Sequence, residues 1–197
     1  MMLVIGLTGK TGAGKTTVAE FLRANGCFII DGDVVARKIT EKGSECLAAL
    51  CEAFGSDILD ENGCLLRPIL AKKAFKDRES TNLLNSITHP FIKKDFITQL
   101  RKAESEGYKA AIIDAAALLE SDCKDICEKI IVVTAPEDIR TERIAKRDGI
   151  SKEQIILRIK AQREDEHYLS QADVVFRNYE PYCNEESEFK KLLEIVN

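Results

Sequence analysis

The chain has 197 residues, 45% hydrophobic and 31% charged, which is the composition of a globular protein with a sizeable core. Its net charge of −4 gives no general attraction to nucleic acid, and no apolar run approaches the roughly 20 residues that span a bilayer. We also find no secretory signal pattern, so we expect a cytoplasmic protein that binds neither nucleic acid nor membrane.

Five short apolar segments rich in β-branched residues predict strands that are buried on both faces. They are residues 3–7, 27–30, 110–114, 129–134 and 174–176. Helical patterns separate and follow them, at residues 14–25, 135–147, 151–169 and 185–196. Because strands alternate with helices, the sequence predicts an α/β fold with a central parallel sheet flanked by helices.

The interval from about residue 34 to residue 107 does not show this alternation. It contains several helical patterns, with the turn DENGCLLRP at residues 60–68 between them. We interpret it as a helical lobe inserted after the second strand. The core of the single domain then comprises about residues 1–33 and 108–197.

The first strand leads into a glycine-rich turn, GKTGAGKT at residues 9–16, that matches G-x-x-x-x-G-K-[ST] at every required position. Such a loop points backbone N–H groups at phosphate groups, and side chains at its tightest points would obstruct them. A strand before it and a helix after it make a chance glycine turn a poor explanation. We therefore predict a nucleoside triphosphate site formed by Gly9, Lys10, Thr11, Gly12, Ala13, Gly14, Lys15, Thr16 and Thr17.

Within this loop, Lys15 supplies a positive charge to the β- and γ-phosphates, and Thr16 supplies a hydroxyl group to Mg²⁺. The sequence leaves two interpretations of Lys10: its ammonium group contacts a phosphate group, or it points to solvent. The chain contains no N-K-x-D element of the kind that reads guanine, which argues against a GTPase.

Two acids, Asp31 and Asp33, follow the second predicted strand. The carboxyl ends of strands face the ligand site in open α/β sheets. An acid at this place can accept the proton of a hydroxyl group that receives a phosphoryl group. The same residues around Gly32 are also compatible with a solvated turn.

The chain contains seven cysteines and no C-x-x-C pair. An odd number without metal-site spacing argues against a disulfide framework and against a zinc site. Cys123 and Cys127 have helical spacing, but two thiols alone make a poor zinc site. We expect thiols that are mostly buried and take no part in the chemistry.

Four ordered segments carry a family resemblance. Residues 6–37 join the phosphate loop to a strand that ends in D-x-D, and residues 84–92 read LNSITHPFI. Residues 142–162 contain R-x-x-x-R-D followed by R-I-x-x-Q, and residues 171–179 read QADVVFRNY. Together these segments resemble the dephospho-CoA kinase family over residues 3 to about 180.

The resemblance implies a P-loop kinase fold with a nucleotide core, a helical coenzyme-binding lobe and a lid of about residues 140–163. It also implies transfer of the γ-phosphoryl group of ATP to the ribose 3′-hydroxyl of dephospho-CoA, the last step of coenzyme A synthesis. ATP is then the co-substrate, Mg²⁺ the metal and dephospho-CoA the partner molecule.

The resemblance also implies residue roles. Asp33 resembles the catalytic base and acts beside Lys15. Arg143 and Arg147 would close from the lid toward the phosphates or the adenine, although their i, i+4 spacing is also typical of a solvated helix face. The residues implied to bind the acceptor are Asp33, Arg37, His89 and Asp114, and those implied to hold Mg²⁺ are Thr16 and Asp114.

Some of these roles have plainer alternatives. His89 can simply cap or pack before Pro90, and Asp114 can be an ordinary residue at a strand end. The family commonly has D-x-P-L-L-[FV]-E after the third core strand, whereas residues 114–120 here read DAAALLE. Two functional alternatives follow: another small-metabolite or nucleotide kinase, and a nucleotide-binding regulatory protein without catalysis.

Overall fold

The computed structural model describes residues 2–179 and 186–196, so Cys183 and Glu185, where the last helix was predicted to begin, lie outside it. The strands are β1 (Leu3–Thr8), β2 (Phe28–Asp31), β3 (Ala110–Asp114), β4 (Lys129–Thr134) and β5 (Val174–Arg177). The α-helices are α1 (Lys15–Ala24), α2 (Gly32–Lys38), α3 (Glu45–Phe54), α4 (Arg67–Ala74), α5 (Arg78–Ser105), α6 (Glu137–Asp148), α7 (Lys152–Lys160), α8 (Asp165–Leu169) and α9 (Glu186–Val196). Short 3-10 helices lie at Ser56–Ile58, Leu118–Glu120 and Asp122–Ile126.

The strands form one parallel sheet in the order β2-β3-β1-β4-β5, with β1 at its centre. In the register of β1, Ile5 pairs with Ile112 of β3, and Leu7 pairs with Ile131 of β4. All four side chains are fully buried. The predicted α/β fold with a central parallel sheet is therefore confirmed, and these central positions are apolar because helices cover both faces of the sheet.

Successive side chains of β1 serve two cores, because they point to opposite faces of the sheet. Ile5 packs in a cluster that includes Leu22 of α1 and Leu192 of α9. Val4 packs on the other face, against a cluster that includes Ala103 of α5. Helices thus cover both faces and leave the carboxyl edge of the sheet to the loop that follows β1.

The described chain divides into two compact units, residues 2–30 with those from 100 onward, and residues 31–99. The second unit has its own core, which includes Leu50 of α3, Ile58 and Leu70 of α4. Its predicted turn closes through Asp60, whose Oδ1 accepts the N–H groups of Asn62 at 2.9 Å and Cys64 at 2.8 Å. The boundaries of the functional lobe, near residues 34 and 107, stay a prediction.

Helix α5 has 28 residues and carries Pro90 in its interior. Proline has no N–H group, so position 90 donates no hydrogen bond to the carbonyl group of Ser86, four residues earlier. The helix continues nevertheless through its neighbouring turns. Neither α5 nor another described helix combines the length and apolarity that crossing a bilayer requires.

The prediction of one continuous helix after α6 was wrong. The pattern over residues 151–169 is divided into α7, which ends at Lys160, and α8, which begins at Asp165. Glu164 has an extended backbone, with φ −62° and ψ 159°. The side chain of Gln162 bonds to a distant backbone group in this break. This tertiary contact outweighs the helix propensity of the segment.

Candidate functional site

The glycine loop connects the end of β1 at Thr8 to the start of α1 at Lys15. Gly12 and Gly14 have φ angles of 79° and 91°, which residues other than glycine rarely adopt. A Cβ atom added to Gly14 would lie 2.0 Å from Nδ2 of Asn178. Helix α1 has no side-chain cap, so its first amide groups are left to an anion. The loop therefore has a conformation that is compatible with the binding of phosphate groups.

Lys15 lies across this loop, because its Nζ donates a hydrogen bond to the carbonyl oxygen of Gly9 at 3.4 Å. Thr16 and Thr17 follow in the first turn of α1, and both are exposed. The ammonium group of Lys15 and the hydroxyl groups of Thr16 and Thr17 thus all belong to the first turn of α1. A bound triphosphate can replace the Gly9 carbonyl as the partner of Lys15.

The first half of the loop is held by the connection between α7 and α8. Nζ of Lys10 lies 2.5 Å from Oδ1 of Asp165, and the Lys10 side chain is only 14% exposed. The backbone N–H of Thr11 donates to Oε1 of Gln162 at 2.9 Å. The charge of Lys10 is therefore paired with a carboxylate, an arrangement that neither sequence-based alternative included.

The two lid arginines differ in their surroundings. Arg143 donates from Nη1 to the carbonyl oxygens of Gly12 at 3.5 Å and Ala13 at 3.3 Å, so it contacts the loop itself. Arg147 is 58% exposed and forms an ion pair with Asp148 at 2.6 Å. Its guanidinium group holds the pKa of the Asp148 carboxyl below the usual value. Of these two arginines, α6 thus brings Arg143 and not Arg147 to the phosphate loop.

Asn178 is a residue of the site that the sequence analysis did not assign. It is 6% exposed and directly follows β5. Its Nδ2 donates to the carbonyl oxygen of Ala13 at 2.9 Å. Its position at the carboxyl end of a parallel strand was a signal that could have pointed to it.

Arg140 was also missed. It is 4% exposed, and its Nε donates to the carbonyl oxygen of Ala135 at 3.1 Å. Its own backbone fits against the loop, because a Cβ atom added to Gly12 would lie 2.7 Å from its carbonyl oxygen. Helix α6 therefore supports the loop through its backbone as well as through Arg143.

The DAAALLE segment is fixed against the end of β1. Asp114 pairs with Leu7 in the register of the sheet, and Oγ1 of Thr8 donates to the carbonyl oxygen of Ala116 at 3.3 Å. Ala116 and Ala117, which stand where the family commonly has proline and leucine, are exposed. The following Leu118 and Leu119 are buried and anchor the segment. The two alanines therefore lie at exposed positions, whereas Leu119, which stands where the family has Phe or Val, is buried.

Three of the four residues implied to bind the acceptor, Asp33, Arg37 and His89, lie in the unit of residues 31–99, whereas Asp114 ends β3 in the other unit. Oδ1 of Asp31 accepts the N–H groups of Asp33 at 2.8 Å and Val34 at 3.0 Å, so Asp31 is the N-cap of α2. Asp33 and Arg37 lie in the first and last turns of α2, and both are exposed. His89 is half-buried inside α5 and does not cap a helix end. Of the two acids, Asp33 is thus the better candidate for a base.

The oxygen donors of the nucleotide site fit Mg²⁺. This ion is commonly bound by one or two protein oxygens together with water and substrate phosphates. Thr16 provides a hydroxyl group at the start of α1, and Asp114 provides a carboxylate at the end of β3. Within residues 2–179 and 186–196, no group of three or more His, Cys, Asp or Glu side chains could hold a metal on its own.

The cysteines of the described chain are mostly covered, as expected. Cys27, Cys46 and Cys123 are buried, whereas Cys64 is exposed. Burial raises the pKa of the Cys46 thiol to about 11. Burial, with a smaller effect of Cys123, raises the pKa of Cys127 to about 12. The thiols of Cys46 and Cys127 therefore stay protonated at neutral pH and are poor nucleophiles.

Known proteins show the same combination of loop and fold. The sequence model of the dephospho-CoA kinase family matches residues 3–182. The chain is 43% identical over 192 residues to a dephospho-CoA kinase of Corynebacterium efficiens, covering 98% of this chain and 96% of that protein.

Solved structures agree with this match. The fold is similar to that of TT1252 from Thermus thermophilus, with a TM-score of 0.81, 27% identity and coverage of 99% and 96% of the two chains. It is also similar to the dephospho-CoA kinase from Campylobacter jejuni, with a TM-score of 0.61, 25% identity and coverage of 98% and 97%. The phosphate loop between β1 and α1 and these matches over nearly the whole length show that the chain belongs to the dephospho-CoA kinase family, a family of phosphotransferases.

Proposed function

We propose that the protein transfers the γ-phosphoryl group of ATP to the ribose 3′-hydroxyl group of dephospho-CoA, the last step of coenzyme A synthesis. The observation that best supports this proposal is the glycine loop with Lys15 folded over it, in a chain that belongs to this family. We place the reaction in the cytoplasm, where ATP is plentiful.

In the proposed mechanism the loop amides, the start of α1 and Lys15 bind and orient the triphosphate. Catalysis of phosphoryl transfer consists mostly of positioning and of stabilising the developing charge. Mg²⁺, when bound, neutralises charge on the β- and γ-phosphate oxygens. Thr16 and Asp114 are the residues proposed to hold it.

Asp33 is proposed as the base that accepts the proton of the 3′-hydroxyl group. The engagement of Asp31 with two backbone amides supports this choice over its neighbour. Arg37 and His89 are proposed to bind the acceptor, because they belong to the same helical unit as Asp33. Arg147 is proposed to contact the nucleotide after it leaves Asp148.

The test is a reaction of the purified protein with Mg-ATP and dephospho-CoA, followed by mass detection of coenzyme A and ADP. A parallel panel of nucleosides, nucleotides and small hydroxylated metabolites separates this activity from that of other small-molecule kinases. We expect coenzyme A to be the main phosphorylated product. ATP binding without any phosphorylated acceptor would instead support the regulatory alternative.

A further inference from the structure

The carbonyl oxygens on the outer side of the phosphate loop receive hydrogen bonds from two side chains. When the N–H groups of a loop turn toward an anion, its carbonyl groups turn outward and need donors. Ala13 accepts from Nδ2 of Asn178 at 2.9 Å and from Nη1 of Arg143 at 3.3 Å. Gly14 accepts from Nδ2 of Asn178 at 3.4 Å, and Gly12 from Nη1 of Arg143 at 3.5 Å.

Asn178 is itself fixed to the sheet. Its backbone N–H donates to the carbonyl oxygen of Thr134, at the end of β4, at 2.9 Å. Its backbone carbonyl accepts from Nη2 of Arg143 at 2.8 Å. Its amide group also lies where a Cβ atom of residue 14 would be, so Gly14 is required for this approach. A continuous polar connection therefore runs from the sheet through Asn178 to the loop.

We propose that Asn178 and Arg143 are positioning residues that hold the phosphate loop in its binding conformation before the nucleotide arrives. Bound on the outer side, they orient the inward amide groups without touching the phosphates through these contacts. Fixing the loop in advance removes part of the ordering cost of binding. Hydrogen bonds at the carbonyl oxygens of Ala13 and Gly14 also polarise the peptide groups that carry the N–H groups of Gly14 and Lys15.

This inference rests on the proposed ATP site and assigns Arg143 a role other than closing over the phosphates. Asn178→Asp tests it, because the change keeps the side-chain shape and replaces two N–H donors by a carboxylate oxygen. That oxygen would face the carbonyl oxygens of Ala13 and Gly14. Asn25→Asp is the matched control, since Asn25 is exposed at the end of α1.

We expect Asn178→Asp to weaken calorimetric binding of Mg-ADP by about 10–100-fold, because buried carbonyl groups lose their donors. The KM for ATP should rise by a similar factor, while the KM for dephospho-CoA changes by less than about 3-fold. Thermal unfolding without nucleotide, measured on the same preparations, verifies that each variant is folded. A general structural defect would affect both KM values.

Arg143→Lys is the second variant and keeps the positive charge. One ammonium group cannot serve the carbonyl oxygens of Ala13 and Asn178 with the geometry of a guanidinium fork. We expect about 10-fold weaker Mg-ADP binding, against no change for Arg23→Lys on the exposed face of α1.

Unchanged Mg-ADP affinity in folded Asn178→Asp or in Arg143→Lys would overturn the proposal, as would equal effects on the two KM values. If the unaltered protein binds Mg-ADP but does not phosphorylate dephospho-CoA, the proposed function fails. The binding comparison still decides the role of Asn178 and Arg143 in that case.

Discussion

Gln162 and Thr11 are joined by a hydrogen bond of 2.9 Å, in which the backbone N–H of Thr11 donates to the side-chain oxygen of Gln162. A second contact joins the same two segments, because Lys10, next to Thr11, forms an ion pair with Asp165, which follows Gln162 in the connection. The connection between α7 and α8 is thus attached to the phosphate loop. A lid that closes over ATP must keep these contacts or exchange them.

The first prediction concerns motion of the lid, about residues 140–163. Hydrogen exchange with and without a bisubstrate analogue should show added protection across residues 144–159, because closure excludes water. Gln162→Ala should speed exchange in residues 161–169 without ligand by about 3- to 10-fold, the effect of one lost hydrogen bond. Gln99→Ala in α5 is the control. Identical exchange with and without the analogue would contradict closure.

The second prediction concerns Lys15. Lys15→Ala should lower the turnover rate by about 10²–10³-fold, because the transferring phosphoryl group loses a fixed positive charge. The measurement is coenzyme A formation at saturating substrate concentrations. Lys190→Ala on the exposed face of α9 is the control. Near-normal turnover of Lys15→Ala would refute this role.

The third prediction separates Asp33 from Asp31. Asp33→Asn should keep Mg-ATP binding and lose roughly 10²–10⁴-fold in transfer, the usual effect of a positioned general base. Asp31→Asn should keep both properties, because asparagine caps a helix about as well as aspartate. Calorimetric titration with ATP beside a turnover assay measures the two effects. The reverse pattern would make Asp31 the base, and lost ATP binding in Asp33→Asn would indicate a metal or structural role.

The fourth prediction concerns acid stability and Glu188 of α9, which is 2% exposed. Its carboxylate accepts the N–H of Arg177 at 3.0 Å and bonds to Nζ of Lys191. Burial alone would raise the pKa of Glu188, but these hydrogen bonds outweigh it and hold the pKa below the usual value. A lowered pKa stabilises the fold above the unfolded value of about 4.3, and this is lost as pH falls through the folded value.

Glu188→Gln should therefore unfold with about 1 kcal/mol less free energy than the unaltered protein at pH 7. The two free energies of unfolding should converge as the pH falls below about 4. Urea unfolding at several pH values measures both. Glu20→Gln on the exposed face of α1 is the control, and a difference that stays constant down to pH 3 would contradict the prediction.

Local sequence patterns were sufficient to predict the elements that depend on residues close together in the chain. The apolar run of β3 could be predicted with its observed bounds, Ala110–Asp114, because a strand buried on both faces must be apolar throughout. The phosphate loop could be predicted because its glycines are required by close backbone approaches at fixed spacing. The sites of Asp33, Arg37 and His89 stay predictions, as their roles depend on an acceptor molecule.

Long-range contacts account for what the sequence did not show. The break between α7 and α8 depends on Gln162, which bonds to Thr11 across 151 positions of the chain. The role of Asn178 depends on the order of the strands in the sheet, because the end of β5 brings Asn178 to Ala13. The pairing of Lys10 likewise required the place of Asp165. Helix and strand periodicity carries no information on such pairs.

The hydrogen bond from Asn178 to Gly14 joins residues that are 164 positions apart. During synthesis the glycine loop is therefore made well before Asn178, its partner in this hydrogen bond. Pairing across such distances also slows folding, since a long segment must be closed before the contact forms. A nascent chain that stops before β5 has every residue of the nucleotide motif and Arg143, but it lacks Asn178, the other side chain proposed to hold the loop. We therefore expect such a truncated chain to bind nucleotide more weakly than a chain that includes Asn178.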